Sequence, residues 1–327
     1  MPEALSPVRI IARKDVSDAL RDRFIPLITG FLVLAALVSL IAGAIALATD
    51  VTTYENARAT LLALGKSAEA IAAPEFDPLK LLRGAIEQTE IIGAAVAILV
   101  GHRAAASERG RQTLALILTR PVRRWQFLAG KVAAGILLLA VGLAAVLAVC
   151  AVALHLGSGI GLGLADLGRI AIVWVAALAY TSCFFLSAFI LTLSMRRPPH
   201  ALLAAFSIWL LLVLIAPQIG DTLDPDNQVA GGVFKQLHIA KPDQVEILKG
   251  FAGFETVRTG IEAASITKHF ERFSFAVLGI KDTYTGLPLG PILIEKAGDT
   301  LFILLCFLGL GAVALALPLN PNKLTKE

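Results

Sequence analysis

Two carboxylates in an apolar stretch are the residues of this chain best placed to act on something. Glu87 and Glu90 stand three apart, so a helix puts them on one face. The uncharged part that follows, Ile91–Gly101, is too short to cross lipid alone. A crossing over Gly84–His102 therefore carries Glu87, Gln88 and Glu90 with it. Carboxylates at membrane depth face a cavity or a partner, which makes Glu87 and Glu90 candidate lining residues of a pathway. A tilted span with both at headgroup level is the other reading. Gly93, Ala97 and Gly101 recur every fourth residue and offer a small-residue face for close helix packing.

Other chemistry has little support. Gly65-Lys66-Ser67 has the tail of a phosphate-binding loop, but Thr60 holds the position of its first glycine. Gly157, Gly159, Gly161 and Gly163 miss the dinucleotide fingerprint because Leu162 breaks it. Zinc-protease, nucleophile-elbow and paired-cysteine motifs are missing. The five histidines are dispersed, and no catalytic or metal residue is assigned. Cys150, Cys183 and Cys306 lie in apolar runs and read as packing residues. An intramembrane enzyme would need convergent groups, and Ser182, Ser187, Ser194 and Thr192 have no evident partner.

The elements that hold these residues are membrane spans. The 327 residues are 57% hydrophobic and 17% charged, with mean hydropathy +0.76, which excludes disorder and an ordinary soluble enzyme. Six stretches suit a crossing: Phe24–Ala48, Gly84–His102, Phe127–Leu154, Ile170–Met195, Ala201–Ala216 and Thr300–Leu319. The fifth is short and stops at Pro217, as a tilted or incomplete crossing would. The first is too long for a signal-peptide core. Five basic residues precede span 1, seven run from Arg103 to Lys131 at the start of span 3, two follow span 4 and two end the chain. These sixteen of the 29 Lys and Arg residues share one side. With six spans both termini are then cytoplasmic. Basic clusters beside span ends face anionic lipid rather than nucleic acid. The expected fold is an all-α, six-span membrane protein.

Between the spans, residues 1–23 form an amphipathic helix on the cytoplasmic face, with Ser6 as N-cap and Pro7 as first helical residue. Residues 24–216 hold spans 1 to 5 and the cytoplasmic loop 103–124. In that loop Leu114, Ile117 and Leu118 share a helical face and Pro121 ends the helix. Its apolar stripe between basic flanks suits docking to a soluble partner. The loop between spans 1 and 2 is external and helical in part. Residues 217–299 are also external. Pro242–Lys249 and Phe254–Leu278 carry helical periodicity there and predict a helical cap over the membrane. Residues 300–327 are span 6 and a cytoplasmic tail.

The run Ser107-Glu108-Arg109-Gly110-Arg111-Gln112-Thr113-Leu114-Ala115-Leu116-Ile117-Leu118-Thr119-Arg120-Pro121-Val122-Arg123-Arg124, with Gly130-Lys131 after it, resembles the cytoplasmic loop of ABC-2 type permeases. Gln112 stands where that loop usually has glycine. The opening Arg9–Arg21 resembles the same family, particularly the subgroup typified by the nitrous-oxide-reductase maturation permease.

The resemblance implies a permease subunit rather than an enzyme. It would work with a second copy or a related permease and two ATP-binding subunits, which would hold ATP and magnesium; this chain would bind no cofactor. Glu108, Arg109, Thr113, Leu114, Ile117, Leu118, Pro121 and Arg124 would be its ATPase-coupling surface. Its place would be the cytoplasmic membrane of a prokaryote, with an external protein as a further candidate partner. The alternative is a membrane anchor or assembly factor whose working part is the external segment.

Overall fold

A computed structural model describes residues 7–64, 77–110, 123–158, 162–223, 233–237, 239 and 241–318. Among them there is no strand. Helix α1, Pro7–Arg21, leads into α2, Phe24–Ala63. Then come α3, Pro78–Ser107, α4, Arg124–Ser158, α5, Leu164–Ser194, and α6, Pro198–Gly220. The last are α7, Lys241–Lys249, α8, Ala252–Ala264, α9, Ile266–Val277, α10, Leu289–Glu295, and α11, Ala297–Ala316. Six helices among the described residues, α2 to α6 and α11, are long and apolar enough to cross a membrane. Their outward faces are apolar too. On α2, Leu27, Phe31, Leu34, Val38, Ile41 and Ile45 are all exposed, the pattern of a helix whose solvent is lipid.

Three spans depart from their expected limits for local reasons. The first runs on from Ala48 to Ala63. No glycine or proline lies between Ala48 and Ala63, and Thr49, Thr52, Thr53 and Thr60 each return their hydroxyl to the carbonyl four residues back. At 1.5 Å per residue its 40 residues measure about 60 Å, twice the hydrocarbon thickness. The second span includes a π turn at Thr89–Gly93. The fifth does not stop at Pro217. A π turn over Leu210–Ile215 precedes the proline and absorbs its missing N–H, so the helix continues.

The tightest packing is between α3 and α5, where the expected small-residue face meets its partner. A Cβ on Gly101 would collide with the backbone carbonyl of Phe185, so only glycine allows this approach. Gly93 meets Thr181 on the same face, and Ala97 is fully buried.

The segment expected as a cap packs partly into the bundle. Phe254–Leu278 falls in two helices, one for each of two successive apolar stripes, Phe254 to Ala264 and Ile266 to Val277. Ser265 separates them, its hydroxyl accepting from the Lys268 N–H to cap α9. Helix α9 does not lie on the surface. Phe270 is fully buried and its ring stacks on Tyr180 at 4.7 Å. Tyr180 lies midway along α5, and the hydroxyl of Thr267 sits 3.3 Å from the Tyr180 hydroxyl and 3.4 Å from the carbonyl of Leu212, midway along α6. Helices α8 and α9 therefore form a hairpin whose tip enters the bundle, while the apolar stripe of α8, including Phe254 and Val257, stays exposed.

Candidate functional site

Two polar clusters stand out, one at mid-bundle and one where α1 docks. At mid-bundle the two expected carboxylates part. Glu87 remains half-exposed in a 2.8 Å ion pair with Arg83. Glu90 is 7% exposed, and its Oε1 is buried with no hydrogen-bond partner. The π turn Thr89–Gly93 begins between the two carboxylates, with Glu90 on its buried side.

The π turns leave backbone carbonyls for side chains to claim. The Tyr180 hydroxyl donates to the carbonyl of Glu90 at 3.0 Å, and the Trp209 indole donates to the carbonyl of Ile91 at 3.2 Å. Glu90 is thus enclosed by α3, α5, α6 and the tip of the hairpin. Such turns concentrate at functional sites, and a buried carboxylate oxygen without a partner is costly unless something else uses it.

Beside this cluster a charged network ties the hairpin to α11. The ring nitrogens of His269 face Asp299 Oδ1 at 2.6 Å and the carbonyl of Ala263 at 3.0 Å. Arg272 reaches the same Asp299 oxygen at 3.0 Å and Glu262 at 3.5 Å, and Arg258 holds Glu262 at 3.1 Å. Charges as buried as these are stable because they are paired. In the turn before α11, the phenol of Tyr284 and then Lys296 donate to Glu295 and hold its carboxyl below the usual range.

The second cluster lies at the opposite end. Lys131 is 1% exposed, and its Nζ is 3.0 Å from Asp15 of α1 and 3.5 Å from the hydroxyl of Ser107. Arg103, near the end of α3, pairs with Asp22 and covers the ring of Phe24. A Cβ on Gly130 would come within 2.8 Å of the Ile11 side chain, so the glycine lets α1 lie against α4. Gly130 and Lys131 together seat the N-terminal helix, the first by leaving room for it and the second by pairing with its carboxylate.

Of the residues expected to couple to an ATPase, Thr113, Leu114, Ile117, Leu118 and Pro121 lie outside the described residues. Glu108 and Arg109 belong to the helical backbone Ala94–Gly110, and Arg124 opens α4 as an exposed side chain. Sequence reasoning missed Asp15, Tyr180, Thr267, His269 and Asp299. The usable signals were a lone tyrosine inside a span and an aspartate in the first turn of another.

The fold is that of an all-α protein crossing the membrane several times. The chain matches the family model of the ABC-2 family transporter protein over residues 9–319. It belongs to that family and is a membrane component of an ABC transporter, a transport subunit and not itself the catalyst. No curated protein matches it significantly.

Proposed function

We propose that the chain is the permease subunit of an ABC-2 transporter, driven by two copies of a separate ATP-binding subunit. A second copy or a related permease completes the pathway. ATP and magnesium belong to the ATPase partner. In this reading α1 and the loop 103–124 form the cytoplasmic surface that the ATPase moves, and both termini are cytoplasmic in a prokaryotic inner membrane. Cargo passes near Glu90, and the hairpin α8–α9 closes the external side. Within the family, the opening residues resemble most the nitrous-oxide-reductase maturation subgroup.

One observation supports this most: α1 is seated by Gly130 and by Lys131, whose ammonium also lies 3.5 Å from the hydroxyl of Ser107, the residue before the coupling residue Glu108. A push on the loop or on α1 reaches α3 and α4 through Arg103–Asp22 and Lys131–Asp15. The test is co-expression with candidate ABC ATPases and purification through this chain. A retained ATPase whose hydrolysis rises with added cargo supports the reading. Purification of the chain with none of them, while it anchors an external protein, supports the assembly-factor alternative.

A further inference from the structure

A groove of about 630 Å³ opens sideways between α5 and α11, on the half of the bundle away from α1. Val175 and Ala176 form one wall, Leu301 and Leu304 the other, and Phe273 of α9 closes the back. Thr300, the only hydroxyl among its lining residues, donates to the carbonyl of Lys296 at 3.2 Å. The groove therefore presents no unpaired polar side chain, and whatever fills it is hydrocarbon. Because both walls belong to spans, the surrounding solvent is lipid, and an empty groove would forfeit dispersion contacts along its length.

Two cations adjoin its lining residues along the chain. Lys296 immediately precedes Ala297, which lines the groove. Arg169 lies one turn before Ile172, also a lining residue. The guanidinium of Arg169 donates to the carbonyl of Val277 at 2.7 Å and to that of Leu287, so it builds the mouth as well as charging it. Glu295 offsets one charge, 3.0 Å from Lys296. These three side chains together leave a positive mouth above an apolar slot.

We propose that this groove seats an acyl chain of an anionic phospholipid from the leaflet on that side, with its phosphate at Arg169 and Lys296. The hydrocarbon walls supply the affinity, and the mouth selects the headgroup.

Native mass spectrometry of the full chain, delipidated and then supplied with phosphatidylglycerol or phosphatidylcholine, tests this. The expected result is one phosphatidylglycerol per chain that survives activation. Its preference over phosphatidylcholine should be about fivefold, the attraction of one cation for anionic lipid. Ala176→Phe with Ala297→Phe fills the groove and should remove the retained lipid. Lys296→Gln should keep a lipid but lose the preference. Should the double variant fail to accumulate, Leu301→Trp, on an exposed wall position, serves in its place. Equal retention by wild type and filled chain overturns the site, and equal retention of both lipids overturns the anionic assignment. Dissociation of a dimer on filling, with lipid unchanged, assigns the groove to a second copy and overturns the proposal.

Discussion

Asp15 and Lys131 lie 116 residues apart in sequence, yet their carboxylate and ammonium meet at 3.0 Å with Lys131 almost wholly buried. The pair fastens an amphipathic helix to the start of a span. Asp15→Ala takes this carboxylate from the buried ammonium, which keeps its contact with Ser107. Removing one partner of a buried pair costs about 3–5 kcal/mol. The expected outcome is a lower melting temperature in detergent and faster proteolysis within residues 7–21. An unchanged melt and cleavage rate would show that α1 is held by its apolar face alone.

Glu87 and Glu90 should behave differently on substitution. Glu87→Gln loses an exposed ion pair with Arg83, worth about 0–1 kcal/mol, and should leave transport near wild type. Glu90→Gln keeps size and hydrogen-bonding capacity while removing the charge. If cargo passes this carboxylate, transport changes while abundance does not. Transport assays in vesicles, normalised to protein, separate the two. Equal effects of both substitutions would return them to a shared headgroup location.

The hairpin supplies a test of packing. Phe270 is fully buried and stacked on Tyr180, so Phe270→Ala should cost about 3–5 kcal/mol. Phe254 on α8 is 56% exposed, and Phe254→Ala should stay within about 0.5 kcal/mol. Thermal melts of the purified chain decide this. Similar losses at the two positions would contradict the buried placement of α9.

The legibility of these features follows their physics. Spans were visible because lipid demands about twenty apolar residues in a row, a signal that needs no tertiary contact. The π turns were not, because one wider turn hardly alters the apolar content of a span. The stripe Ile266, Phe270, Phe273 and Val277 carries a helical period in the sequence, but nothing there pairs His269 and Arg272 beside it. Their partners, Asp299 and Glu262, come from other elements, and only the fold shows that the charges are satisfied. Lys131 stood out beside Gly130, whereas Asp15 looked like any acid on a charged face. Glu87 and Glu90 stood out together as carboxylates in an apolar stretch; that one is buried and the other half-exposed depends on the packing around them.

Retention of the ATPase during purification tests most directly whether that partner grips this chain through the loop 103–124. Apolar anchors dominate such contacts, while exposed charges add about 0–1 kcal/mol each. Leu118→Asp would place an unpaired carboxylate in the partner's groove, at a cost of several kcal/mol. With wild type and Arg123→Ala as references, the expected result is normal abundance of the Leu118→Asp chain in the membrane, loss of the ATPase and no transport. Arg123→Ala should retain both. Reduced abundance of the Leu118→Asp chain itself would instead place Leu118 against the permease's own spans. Normal abundance with normal ATPase retention would contradict the coupling role of this loop.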